Sequence, residues 1–213
     1  MKIIKPSVEF MQPVDGSAIL KHLEACGRVC YKSEGKIADG SAEKFLAGIV
    51  ARGHEAVLEH VSITCKFTCD RGVSHEIVRH RMASYCQEST RYCNYHKDDF
   101  GKEVTFIEPC FLKEGSDGYY LWRAACGHAE DFYFHMLGYG CTPQEARAVL
   151  PNSLKTEVVM TANIREWRHF FRLRCAAAAH PQMREVAKMA LQMFCDEMPV
   201  LFADIYREVF NND

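Results

Sequence analysis

The sequence predicts a mixed α/β (α+β) fold in one domain, and three observations carry that expectation. Across Val61–Asp70, VSITCKFTCD, the apolar residues Val61, Ile63, Cys65, Phe67 and Cys69 alternate with Ser62, Thr64, Lys66, Thr68 and Asp70, the period of a strand with one buried face. After Asn163, the residues Trp167, Phe170, Phe171, Arg174 and Ala178 recur at i, i+3, i+4, i+7 and i+11, a helical stripe aimed at a core. No internal repeat, low-complexity tract or Pro/Gly/Ser linker divides the 213 residues, and one domain of that length buries a substantial core.

In chain order, AILKHLEACGRVCYK over 18–32 carries apolar residues at helical spacing and runs into KSEGK, a helix followed by a loop. A second helix is expected from Ser41 to Ala51, closed by Gly53. Beyond the strand at 61–70, Arg71-Gly72 breaks the alternation and VSHEIVRHRM reads as a helix in which Glu76 reaches His80 at i+4. The arginine-rich stretch then begins on a helix and continues as a loop. EVTFIEP, ending at Pro109, is a second expected strand, and FLKEGSDG a turn-rich break. Apolar and aromatic residues at three and four from Tyr119 to Leu137 predict a long helix closed by Gly138 and Gly140. Thr142-Pro143-Gln144-Glu145 is a capping box with proline at the first helical position, so a short helix carries Arg147 towards Leu150-Pro151. TEVVMT over 156–161 is a short β-branched run, and Asn163 with Glu166 three residues on marks a helix start. Residues 182–210, rich in Met and Phe and interrupted at Pro199, read as one or two helices of the core or of a subunit interface.

Hydrophobic residues make up 48% of the chain and charged residues 25%, the balance of a globular protein. A net charge of −2 gives no global field towards nucleic acid or an anionic membrane, so any attraction for anions is local. Of the 14 arginines, Arg79, Arg81 and Arg91 fall in one short stretch and Arg165, Arg168, Arg172 and Arg174 in another. Eleven cysteines are an odd number, and MKIIKPSVEFMQPVDG lacks the apolar run of a signal peptide, so a reducing cytoplasm is expected. No segment approaches the roughly 18 consecutive apolar residues of a membrane span. Cys26/Cys30 and Cys65/Cys69 are spaced C-x3-C without the remainder of a zinc set. They read as thiols packed in a reduced core, with no metal expected.

Residues 79–92, RHRMASYCQESTRY, taken alone suit a solvated basic surface. Beside the arginines, however, Ser84, Gln87, Ser89 and Tyr92 supply neutral hydrogen-bonding groups, the mix that holds a phosphate bidentately and reads a polar ring. A nucleotide fits. His80, between two arginines, is expected to be neutral. Neither G-x-G-x-x-G nor G-x4-G-K-[ST] occurs, so phosphates must meet side chains. Arg174, on an apolar stripe and unable to lose its proton, must snorkel, pair with a buried carboxylate or face a ligand. In GHEAVLEH, His54 and His60 are six residues apart, so no H-E-x-x-H zinc motif forms, and His54 is either structural or a cofactor contact.

With Arg79-His80-Arg81 followed by seven residues and Ser89, the R-H-R-x7-S pattern, the sequence closely resembles the flavin-dependent thymidylate synthases. GHEAVLEH is similar to that family's upstream Gly-His segment, ARAVLP over Ala146–Pro151 to its Ala-Arg-x-x-Leu-Pro element, and NIREWRHFFRLRCA over Asn163–Ala176 to its C-terminal site helix. The elements come in the family's order, and the resemblance spans roughly residues 15 to 205. It implies a small, mainly antiparallel sheet flanked by long helices, a homotetramer whose sites draw on several chains, and methylation of dUMP at C5 to dTMP. The carbon donor would be 5,10-methylenetetrahydrofolate, the redox carrier FAD and the reductant NADPH, with neither a nucleic acid polymer nor a membrane as partner.

Carried over by position, the resemblance implies that Arg79, His80, Arg81, Gln87, Asn163, Arg165 and His169 contact FAD, with His54 on the upstream segment. Glu76, Arg79, Gln87, Glu88, Ser89, Thr90 and Arg91 would surround dUMP, with Arg147 on its phosphate. Arg174 would face the uracil ring, where a fixed cation stabilises charge developing on it. Ser89 looks like a nucleophile, yet an unassisted hydroxyl is weak, and a positioning role is expected. Ala56 and Cys30 stand where the family often has hydroxyl residues, and Glu76 where Gln is frequent, which alters individual flavin contacts and the charge balance of the dUMP pocket. Two other readings are another flavin- or nucleotide-dependent enzyme and an RNA- or nucleotide-binding module; net charge and the lack of an RNA-module motif weigh against the second.

Overall fold

Alternation decides the two longest strands. β3 (Ser62–Asp70) buries Ile63, Cys65, Phe67 and Cys69, and β6 (Lys155–Asn163) buries Thr156, Val158, Met160 and Ala162, both with a period of two. The structure, a computed structural model, describes residues 1–93, 95 and 102–211. In it a four-stranded sheet runs in the order β2-β3-β6-β4, where β2 is Ser7–Phe10 and β4 is Ala83–Gln87. The Ile164 N–H donates to Val61 O and the Arg71 N–H to Leu154 O, so β3 and β6 are antiparallel. Met11 N–H donating to Thr64 O, with Glu9 paired to Lys66, sets β2 antiparallel to β3 in the same way. A separate two-stranded sheet pairs β1 (Lys2–Ile4) with β5 (Thr105–Ile107) in parallel. The four-stranded sheet agrees with the expected small, mainly antiparallel one, the parallel pair standing beside it, and neither N-terminal strand is legible as a strand in the sequence.

The chain forms two compact units that interleave in sequence. The first comprises Met1–Ser7, Phe67–Arg79 and Tyr85–Val159. Its core gathers Val104, Phe106, Cys126, Tyr133, Ala146 and Leu154. The longest helix, α4 (Asp117–Gly138), begins where Ser116 Oγ accepts from the Tyr119 N–H and stops through Gly140, whose φ of +88° suits a residue without Cβ. Gly138 therefore lies inside the last turn. The capping box forms at α5 (Pro143–Ala146): Glu145 Oε2 accepts from the Thr142 N–H at 2.8 Å, and Arg147 opens the 3-10 turn that follows.

The second unit comprises Val8–Lys66, His80–Ser84 and Met160–Asp213. Its helices are α1 (Gly16–Cys30), α2 (Ser41–Ala51), α6 (Ile164–Arg174), α7 (Pro181–Glu197) and α8 (Pro199–Phe210). Trp167, Phe170, Phe171, Phe194 and Phe202 are all buried and meet ring to ring, mostly edge-on, a geometry that adds to their area burial. Among the described residues no helix is long and apolar enough to cross a membrane.

Two expectations are corrected here. The VSHEIVRHRM helix is α3 (Arg71–Ile77), which ends before Val78, and residues 83–87 form β4 rather than a loop. Two turns are too few to persist on local propensity, and the sheet captures the chain beyond, as the Glu88 N–H donating to Glu157 O shows. His80 thus lies beyond the end of the helix. The apolar stripe of α6 ends at Arg174, leaving Ala178 outside; a new helix starts at Pro181 with His180 as its cap, and the turn between them consumes residues 175–180.

Candidate active site

The N-terminus of α6 is set by Asn163, whose Oδ1 accepts from the Glu166 N–H at 2.9 Å, as the Asn163/Glu166 spacing predicts. That cap aims the first turn of the helix at His80. The His80 ring is almost wholly buried; its Nδ1 lies 2.8 Å from Glu166 Oε1 and its Nε2 3.2 Å from Arg174 Nε. Phe170 packs against the ring at 5.0 Å between centroids and His169 at 5.5 Å. Burial holds the His80 pKa below its usual value; the Glu166 hydrogen bond opposes this, and the Arg174 charge reinforces it. A neutral His80 agrees with the expectation from sequence. Arg174, half-buried, sets its Nε against the His80 imidazole.

Beside this cluster lies a cleft of about 400 Å³ lined by the cap Asn163, by Arg165, Glu166, His169 and Arg172 of α6, and by Glu55, Glu59 and Met82. Arg165 reaches Glu59 at 2.5 Å, yet both side chains are about half exposed, and solvent screens such a pair, so a phosphate can displace the carboxylate. With the Asn163 oxygen occupied by its cap, its amide nitrogen is a donor. Guanidinium, amide and imidazole together fit a dinucleotide carrying phosphates and a polar ring. The expected residues Asn163, Arg165, His169 and His80 are therefore brought together in one unit, while Arg81 is exposed on the same stretch as Met82. His54 is exposed, its Nδ1 3.5 Å from the Tyr31 hydroxyl, and Ala56 and Cys30 are exposed too.

Among the described residues one group of donors is close enough to hold an ion: His80, Glu166 and His169, all within 4.8 Å of one another. Both His80 nitrogens are already engaged, and a dication bound there would face the Arg174 guanidinium. The arrangement is that of an oriented imidazole.

Arg168, absent from the expected site residues, is fully buried under the cleft. Its Nε donates to Glu55 at 3.0 Å, its two terminal nitrogens clasp Asp204 at 2.9 and 2.6 Å, and Nη1 also donates to Leu201 O. The only trace in the sequence is its position beside Trp167, on the edge of the stripe.

In the other unit, a pocket of about 280 Å³ is lined by Arg71, Thr90, Arg147, Asn152 and four apolar residues, with no carboxylate. Arg147 Nη1 donates to the buried Thr90 hydroxyl at 2.8 Å, which holds the guanidinium at the pocket. Arg71 was not among the residues expected from the sequence. It starts α3 after its cap Asp70, and its N–H donates to both Asn152 O and Leu154 O. Two guanidinium groups lining one pocket with a hydroxyl and no carboxylate suit an anion.

Around that pocket, Ser89 Oγ accepts from the Arg91 N–H at 3.3 Å, and the exposed Arg91 lies 5.5 Å over the Tyr92 ring. Gln87 Nε2 donates to Ser74 and Thr156 hydroxyls. Glu88 is turned elsewhere: it accepts from Lys155 at 3.0 Å and from the Tyr95 hydroxyl at 3.3 Å, lining a different pocket from Arg147. Glu76 is half-buried at the end of α3, and Arg79 is exposed just after it.

These features define a class: a mixed α/β protein whose arginine, amide and hydroxyl side chains gather at two pockets. A family model described as thymidylate synthase complementing protein matches residues 17–200. Curated relatives named flavin-dependent thymidylate synthase include one from Pyrococcus furiosus, 36% identical over 74% of this chain and 64% of its own length. Another, from Pyrococcus horikoshii, is 33% identical over 90% of this chain and 77% of its own. The chain belongs to this family of enzymes, the flavin-dependent thymidylate synthases. The fold is also similar to a crystal structure of PolB, a UMP/dUMP methylase from Streptomyces cacaoi bound with 5-Br dUMP, with a TM-score of 0.76 and 24% identity over 98% of this chain and 97% of that one.

Proposed function

We propose that this chain catalyses the reductive methylation of dUMP at C5 to dTMP, with 5,10-methylenetetrahydrofolate as carbon donor, FAD as redox carrier and NADPH as reductant. We further propose that residues 1–213 act as one catalytic domain in a cytoplasmic homotetramer. The observation that carries the reading is the family match from residue 17 to 200, which includes both arginine-rich stretches.

The carboxylate-free pocket supports a phosphate held by Arg147 and Arg71 with the Thr90 hydroxyl, joined by Ser89 and Arg91. Ser89 uses its hydroxyl to shape the turn under Arg91, which favours positioning over nucleophilic attack. Gln87, fixed by two hydroxyls, and Glu76 and Arg79 complete the substrate surroundings. Glu88 fits a supporting role, since its carboxylate is committed to Lys155 and Tyr95. Asn163, Arg165, His169 and His80 are the residues that would hold FAD, together with Arg79, Arg81, Gln87 and His54. Bound FAD, once reduced by NADPH, would supply the hydride that converts the folate-borne carbon to a methyl group. The protein's own contribution is alignment and charge: Arg174 facing the uracil ring would stabilise negative charge developing on it during attack by C5.

The test is a visible spectrum of the purified protein after incubation with FAD and desalting, repeated after adding dUMP, followed by an assay for dTMP. A retained flavin band perturbed by dUMP, with folate-dependent dTMP formation, is expected. A protein that retains no flavin would refute the reading and direct attention to salt-sensitive binding of oligonucleotides.

A further inference from the structure

Both nitrogens of His80 are used, by partners of opposite sign. Nδ1 lies 2.8 Å from Glu166 Oε1, and Nε2 lies 3.2 Å from Arg174 Nε. An arginine Nε can only donate. His80 Nε2 is therefore the acceptor, the single proton of the neutral ring sits on Nδ1, and Glu166 receives it. The ring is 4% exposed and wedged against Phe170, so water is poorly placed to substitute for either partner.

We propose that Glu166 is a positioning residue: by holding the His80 proton on Nδ1, it keeps Nε2 as the acceptor for Arg174 and so sets the plane of that guanidinium. The proposal rests on the reading above in which Arg174 faces the uracil ring. The placement follows from the helix. Glu166 is in the first turn of α6, with its N–H tied to Asn163, and Arg174 is its last residue. One helix thus presents both arms, and His80, arriving from another segment, is clasped between them.

A second proton on the ring would turn an N–H towards the Arg174 Nε–H and bring two cations together at that distance. Among the described residues, the groups that act on His80 through charge or hydrogen bonding include Glu166, His169 and Arg174, all from α6, with Arg79 and Arg81 on its own stretch. Glu166 brings the negative charge. It acts against burial, so its removal lowers the His80 pKa further.

The test uses the full chain with flavin bound. In nitrogen-15 NMR, with His80 assigned by the signal lost in His80→Gln, the wild-type ring should carry its proton on Nδ1 at neutral pH, and the Arg174 Nε–H should exchange slowly with water. Glu166→Ala should lose that slow exchange and lower kcat about 100-fold, the scale set by a misplaced group, with the KM for dUMP changed far less. Glu166→Gln keeps an oxygen that accepts from Nδ1 but no charge. It should recover most of the lost kcat, while the acid limb of its pH profile shifts to lower pH; a merely structural role would leave that limb in place. A proton on Nε2 in the wild type, or wild-type Arg174 exchange and kcat in Glu166→Ala, would overturn the proposal. Should Glu166→Ala not fold, the wild-type tautomer and the Glu166→Gln acid limb decide, and an unmoved limb overturns it. The NMR readouts need no turnover: a protein that makes no dTMP yet shows Glu166-dependent protection of Arg174 would sink the assigned reaction and keep the clasp.

Discussion

Asp204→Ala should destabilise the protein by about 3 kcal/mol. Arg168 is 0% exposed and cannot shed its proton, so its charge must be met where it lies. Asp204 meets it with two hydrogen bonds, at 2.9 and 2.6 Å. Truncation removes both, each a charge-assisted bond worth about 1.5–3 kcal/mol. Two features hold the loss towards the lower end of the about 3–5 kcal/mol typical of a broken buried pair. Glu55 still accepts from Arg168 Nε at 3.0 Å, and the Asp204 side chain is 35% exposed, so water can enter. For a chain of this size about 3 kcal/mol lowers Tm by about 6–12 °C, readable by calorimetry. Asp204→Asn keeps one acceptor oxygen and should fall between. The pH dependence gives a second arm. Burial pushes the Asp204 pKa up, but the Arg168 hydrogen bond and charge outweigh it and hold the group below its ordinary value. A depressed folded pKa means that the stabilisation is complete above the unfolded value of about 4 and is lost as pH falls through the folded one. The Tm difference between wild type and Asp204→Ala should therefore be constant from neutral pH down to about 5 and shrink only in stronger acid. A drop of less than about 2 °C at pH 7 would refute the reasoning, since the buried guanidinium would then be satisfied without Asp204.

Arg174→Ala should fold, retain FAD and lose dTMP formation by several orders of magnitude; wild-type turnover would remove the role assigned to its charge. Arg147→Ala and Arg71→Ala should each weaken dUMP binding by about 10–100-fold, as expected for a lost charge-assisted hydrogen bond, and calorimetric titration showing unchanged affinity would take the phosphate out of that pocket. Native alkylation followed by mass spectrometry should modify the exposed Cys30, Cys86 and Cys110 first. Cys126 and Cys175, whose pKa values burial raises to about 11 and about 12, should react only on unfolding, together with the still more strongly shifted Cys65 and Cys69.

Local chemistry was readable wherever one residue's neighbours in the chain decide its conformation. The alternation in VSITCKFTCD gave β3, the Asn163/Glu166 spacing gave the start of α6, and the box at Thr142–Glu145 gave α5. Strands β1, β2 and β4 were not readable because each is three to five residues long and exists through pairing with distant segments, which no local period records. The same limit ended α3 early and left His80 beyond it. For the site, residue types pointed to a phosphate- and ring-bearing ligand, and Arg174 stood out because a cation on an apolar stripe needs a partner.

By itself, the sequence determined a mixed α/β chain, two concentrations of guanidinium groups, the caps that orient their helices, and a motif order that identifies the family. Only the tertiary structure decided what each charge meets. It put Arg71 beside Arg147, turned Glu88 to Lys155, buried Arg168 against Glu55 and Asp204, and gave His80 to Glu166 and Arg174. Those pairings join residues up to 113 positions apart. A hydrogen bond or ion pair acts over a few ångströms in space, and separation along the chain carries no information about that distance until the chain has folded.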